Sequence, residues 1–173
     1  ALTRTTLTGA FNIAIGTSAL QNHNFGSENV AIGLNALANE DSTDYNTAIG
    51  AWALNANTRG SQNTAIGKNA LLANTIGVKN TAVGAGSMEG TTTGGFNTGI
   101  GHDALLQNTT GTDNVGIGWL GWSQNRTGIR NVGVGNSSGR SIVDGSNNIF
   151  IGYDAGYNGG TGQEDTVSNC IVL

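Results

Sequence analysis

Cysteine, basic residues and long apolar runs are all scarce in this chain, and each shortage excludes something. The one cysteine, Cys170, has no partner for an internal disulfide and no companions for a zinc site. Lysine and arginine total only 7 against 11 acidic residues, a net charge of -4, so the basic stripe that nucleic acid requires is missing. No run of 18 apolar residues occurs, which argues against membrane insertion. No N-terminal signal peptide is visible, although processing or excision would remove one.

What the chain has instead is glycine, 29 of its 173 residues, with no proline and only 10% charge. In an irregular sequence such a composition would predict disorder, because too little apolar surface is available to offset chain entropy. Here the hydrophobic residues, 37% of the total, recur in register and permit a core. The length fits one domain.

The register is that of an internal repeat. An asparagine opens each block at Asn12, Asn29, Asn46, Asn63, Asn80, Asn97, Asn114, Asn131 and Asn148, every step being 17 residues. Four positions later comes glycine: Gly16, Gly33, Gly50, Gly67, Gly84, Gly101, Gly118, Gly135 and Gly152. A second glycine precedes the asparagine by three, from Gly9 to Gly145, with Thr43 alone breaking the column. Chance does not hold such a register over nine copies.

With the asparagine as position 0, position +3 is always Ile or Val, from Ile15 to Ile151. Position +2 is small in eight coils and Phe150 in the ninth. Position +7 is always small, and +8 is Leu in five coils, Met88 and Trp122 in two, and glycine in the last two. A 17-residue period is too short for helix-pair repeats, which need more than about 30 residues. It suits short strands joined by tight corners, with glycine where positive φ is needed. The expected fold is therefore an all-β β-solenoid of nine coils, about 43 Å long at roughly 4.8 Å per coil. Asparagine ladders are expected to hydrogen-bond along the stack. The competing reading, a short helix at the Ala-Leu pair, has little room between the flanking Asn, Thr and Gly.

Residues 1–8 read as a partial preceding coil, 9–162 as the nine-coil solenoid, and 163–173 as an insertion and the start of a truncated tenth coil. In that reading Asn169 opens the tenth block, after a four-residue insertion around Gln163 to Val167. Both ends look cut from something longer, with flanking segments expected to cover the open sheet edges.

The blocks Asn46-Thr47-Ala48-Ile49-Gly50, Asn63-Thr64-Ala65-Ile66-Gly67 and Asn80-Thr81-Ala82-Val83-Gly84 resemble two related families. One is the head repeat of YadA-like trimeric autotransporter adhesins, a left-handed β-roll. The other is the N-T-A-I-G-x-x-A-L repeat of phage tail fibres and large bacterial surface proteins, which often precedes a removable C-terminal chaperone domain. The match spans residues 9 to about 162 and departs from the adhesin heads in its period and its Ala-Leu column. The resemblance implies a parallel homotrimer and an extracellular place, on a virion tail fibre or a bacterial cell surface. It implies a structural and adhesive segment, a rigid shaft or receptor-binding head. Strand alternation supports association independently: +1 and +3 share one face and +2 the other, and a thin coil buries only one face unless its corners turn both inward.

Catalytic chemistry has little support, and the chain reads as no enzyme, without cofactor or metal. His23 and His102 fall in different columns, +11 and +5, and read as surface residues. Glu40, Asp41 and Asp44, and again Glu164 and Asp165, read as solvated corners rather than as a calcium loop or a glycosidase pair. The run from Gly159 to Asp165 only superficially resembles calcium-binding nonapeptide repeats. Aromatic residues are the better lead: Trp119, Trp122, Tyr153 and Tyr157 cluster in coils seven and nine, with Trp52 isolated in coil three. Trp119 and Tyr153 share the variable +5 column, and exposed rings stack on sugar faces. Trp122 and Phe150 occupy columns of core type, where filling a slot is the simpler role. The alternatives to a fibre segment are thus a glycan-binding or glycan-cleaving spike and, from Thr58, Thr75, Thr92 and Thr109 stacked at +12, an ice-binding solenoid.

Overall fold

The structure is a computed structural model that describes residues 9–22, 25–39, 42–157 and 167–173. Ten short strands stack in chain order into one parallel sheet. They are β1 (Ile13–Ile15), β2 (Val30–Ile32), β3 (Thr47–Ile49), β4 (Thr64–Ile66), β5 (Thr81–Val83), β6 (Thr98–Ile100), β7 (Val115–Ile117), β8 (Val132–Val134), β9 (Ile149–Ile151) and β10 (Ile171–Val172). Each strand pairs with the next in the register of the repeat: Ile13 lies beside Val30, and Val30 beside Thr47. The fold is the all-β solenoid that the 17-residue period predicts, with no helix among the described residues.

Alternation along each strand decides what is buried. The +2 residues point inward, with Ala31, Ala48, Ala65 and Ala82 fully buried and Phe150 nearly so. The +1 and +3 residues point outward and stay half-buried or exposed in every coil from one to nine. The corners therefore do not turn both apolar columns inward.

The Ala-Leu pair forms the second wall of the core without forming a helix. Leu20, Leu37, Leu54, Leu71, Met88, Leu105 and Trp122 are all fully buried, and all have left-handed backbone, φ between 49 and 54°. That conformation costs an L-residue about 1–2 kcal/mol. Burying the side chain returns about 1.5–3 kcal/mol, and the amide gains a partner in the next coil, Leu37 N donating to Ala53 O at 3.0 Å. Packing thus outweighs the local preference.

The two glycine columns serve different needs. At +4 the φ values run from 120 to 136°, and a Cβ would strike the backbone carbonyl of the next coil. At -3 the φ is not left-handed; there a Cβ on Gly60 would meet the Gly77 carbonyl and the Asn57 side chain. The expectation of positive φ at both columns holds only for the first. The second needs glycine for close approach.

The asparagine ladder runs through the interior as expected. Asn80 accepts from Asn97 N through Oδ1 at 3.0 Å, and its Nδ2 donates to Gly94 O at 2.8 Å. Both ends of the amide are used, and the residue is fully buried. An Asn80→Ala exchange leaves a buried N–H and a buried carbonyl unpaired, each costing about 1–3 kcal/mol. A loss of about 2–5 kcal/mol in denaturant unfolding is the expected outcome, with Ser61→Ala on the surface of the same coil staying within about 0.5 kcal/mol.

The tenth block differs from its expected register. Ile171 pairs with Ile149 and Val172 with Phe150, so Cys170, not Asn169, holds the ladder position. Cys170 N donates to Asn148 Oδ1 at 3.0 Å, across 22 residues rather than 17. The insertion is thus five residues longer than a regular coil, not four. Asn169 takes the left-handed position before the strand, φ 57°, as Asn147 does one coil earlier. A thiol offers no carbonyl oxygen to a following amide, so the amide ladder stops at Cys170.

Candidate functional site

Coil stacking turns each repeat position into a row along the rod. The outward face of the sheet carries two such rows: +1, which is Thr in coils three to six and Ile or Val elsewhere, and +3, which is Ile or Val throughout. Flanking them are position -1 on one side and +5 on the other.

The +5 row is where the aromatic lead is realised. Trp119 is 55% exposed and Tyr153 is 76% exposed. They stand two coils apart, so about 9.6 Å separates their backbones at the usual strand spacing. Asn136 occupies the coil between them, and His102 precedes Trp119. The His102 imidazole is exposed, and its Nδ1 lies 3.0 Å from Asp103 Oδ2.

The other two expected aromatics do not join this row. Trp122 is wholly buried and packs against Phe150, with ring centroids 5.1 Å apart. It belongs to the core and presents nothing to a ligand. Tyr157 is half-buried at position +9, with the Arg140 guanidinium 5.5 Å from its ring centre. Trp52 is half-buried at +6.

Comparison with known proteins leaves the chain to its own evidence of repeat and geometry. No family model, curated protein or solved structure matches it.

A third row escaped the sequence reading. Phe11, Tyr45 and Phe96 at position -1 are all exposed, and Lys79 Nζ lies 5.1 Å from the Phe96 ring centre. Their backbones are left-handed, φ 60 to 62°. Neither composition nor alternation marks this column, because Glu, Gln, Lys, Asp, Arg and Asn share it. Position +6 is also left-handed in every coil, and there a signal existed: Ser, Asn, Gly and Asp fill it except for Trp52 and Leu120.

Polar groups that suggested chemistry are mostly engaged in stacking. Asp44 accepts from Ser27 N at 2.7 Å, so its carboxylate ties coil two to coil three. His23, Glu40, Asp41, Glu164, Asp165 and the run Gly159 to Asp165 lie outside the described residues, apart from no further placement. Among the described residues no three His, Cys, Asp or Glu side chains gather as metal ligands. Hydroxyls of Thr58, Thr75 and Thr92 donate to carbonyls of the next coil at 3.0–3.1 Å, so each spends its proton within the stack. A shallow recess of about 370 Å³ lies between Glu89, Leu106 and Arg126 on the side of positions +9 to +12.

Proposed function

We propose that the chain is a structural and adhesive fibre segment, working as a rigid shaft or receptor-binding head of a phage tail fibre or bacterial surface appendage, and that it acts as a parallel homotrimer. The observation that carries this reading is the unbroken outward row of Ile and Val at +3. Ile15, Ile66, Ile100 and Ile151 each expose more than a third of their surface. A continuous apolar stripe along a whole rod exceeds what monomers usually leave in water, and a second and third copy would cover it. Parallel copies bring like positions together, which also multiplies weak receptor contacts through avidity.

Light scattering is the test. The expected mass is three times the 17.5 kDa of the chain. Ile100→Glu, on the outward face, is expected to release folded monomer, because no interior contact is lost. A parent chain that stays monomeric at tens of micromolar would remove the trimer.

Exposure of Trp119 and Tyr153 in one row favours a second reading, a glycan-binding face on the same rod. A glycan array comparing the parent with Trp119→Ala tests it: retained binding by the variant counts against the row.

A further inference from the structure

The search for sites beyond the fibre reading leads back to the +5 row, and the inference drawn here rests on the glycan-binding reading while specifying it. Sequence places Trp119, Asn136 and Tyr153 at the same position of coils seven, eight and nine. Burial leaves both rings open to solvent and Asn136 half open between them. Stacking fixes their order as ring, amide, ring, at about 4.8 Å per step along a straight parallel sheet.

We propose that this row is a track for an extended, neutral, β-1,4-linked polysaccharide lying parallel to the solenoid axis. In such a chain successive pyranose rings are turned over by half a turn, and each advances the chain by close to one coil step. Alternate sugars therefore present the same face at the spacing of alternate coils. Trp119 takes the apolar face of one sugar and Tyr153 that of the sugar two units on. The intervening sugar is turned over and offers its hydroxyls to the Asn136 amide, which both donates and accepts. Charge selects against an anionic chain. Asp103 and Asp154, each at +6, flank the row at both ends, and no Lys or Arg stands at +5 in coils six to nine. The Arg140 guanidinium is turned to the Tyr157 ring.

Cellohexaose and chitohexaose, with their di- and trisaccharides, are the probes, titrated by calorimetry and by Trp119 fluorescence. Only a trisaccharide reaches both rings, so the dissociation constant is expected to fall by about tenfold or more between two sugars and three, the second ring's share. Tyr153→Ala should bring the trisaccharide back to the affinity of the disaccharide with circular dichroism unchanged, and Trp119→Ala should do the same by calorimetry. Tyr157→Phe should change nothing. No binding of either hexasaccharide, an affinity that ignores length, or a Tyr153→Ala variant that binds as the parent does would each overturn the track. Binding of sulfated, uronic or α-linked glycans on the array with none of these two probes would overturn the track and leave the glycan reading standing.

Discussion

Replacing Gly50 by alanine is expected to split the solenoid between its third and fourth coils. The φ of Gly50 is 136°, far from the 49 to 62° that side-chain-bearing residues adopt elsewhere in the rod. A Cβ there would stand 2.5 Å from the Gly67 carbonyl oxygen and 2.6 Å from its carbon. Both obstacles are backbone, so no side chain can swing aside. Backbone strain of this kind costs about 1–3 kcal/mol before any clash is counted, and the clash falls on the hydrogen bonds that join neighbouring coils. A loss of at least about 3 kcal/mol is expected. Repeat arrays are held by nearest-neighbour interfaces, so the damage should be local first. Hydrogen exchange is the decisive measurement: amides of β2 to β4 should lose protection while those of β6 to β8 keep most of theirs. Uniform protection with an unchanged melting temperature would show that the stack can widen at will. Asn69→Gly, at a left-handed position where a side chain is already accepted, serves as the mild control.

The second large effect concerns Trp122 and Gly139, which hold the same position in consecutive coils. Trp122 fills the leucine slot of coil seven, and the ring extends to where the next coil would carry its own side chain. A Cβ added to Gly139 would land on ring atoms Cε3 and Cζ3 of Trp122, and one added to Gly133 would lie 2.9 Å from Cε3. Gly139→Leu alone should therefore overpack the core, at a cost of about 1–3 kcal/mol or more. Trp122→Leu alone should leave a void, with a loss of similar size. Together they should rebuild the ordinary column. The backbone permits it, since Gly139 has φ 62° and the leucines of this column have 49 to 51°. The Trp122 indole N–H finds no acceptor in the core, so its removal also relieves an unpaired donor. The double variant is expected within about 1 kcal/mol of the parent, a coupling on the order of 3 kcal/mol in a double-mutant cycle. Additive losses would mean that the two positions do not share one slot. The same exchange of volume recurs one coil later, where Phe150 occupies the space that a side chain on Gly156 would need.

These two cases mark where reading the residues succeeded and where it stopped. Gly50 was legible because a column without exception states a requirement that every coil shares. Gly139 read only as a break in the leucine column, because its reason lies in the ring 17 residues earlier. Among the candidate site residues, Trp119 and Tyr153 were legible as outward through the variability of their column. Trp122 was correctly weighed as core filling, yet the pairing that makes room for it was not visible.

The sequence by itself determined the period, the inward +2 column, the asparagine ladder and the solenoid they compose. It could do so because stacking places each residue on its own counterpart, so one short pattern is both the local and the long-range instruction. Only the tertiary structure decided that leucine occupies left-handed backbone at +8, since the gain comes from burial and from the amide partner in the next coil. Only it decided that Cys170 ends the ladder, because the pairing of β10 with β9 overrides the nearer resemblance of Asn169 to the repeat. And only it separated the exposed rings of Trp119 and Tyr153 from the buried ring of Trp122, a difference of three residues in the chain and of opposite sides of one wall in space. In a solenoid the column is written in the sequence; which way a column faces depends on the corner before it.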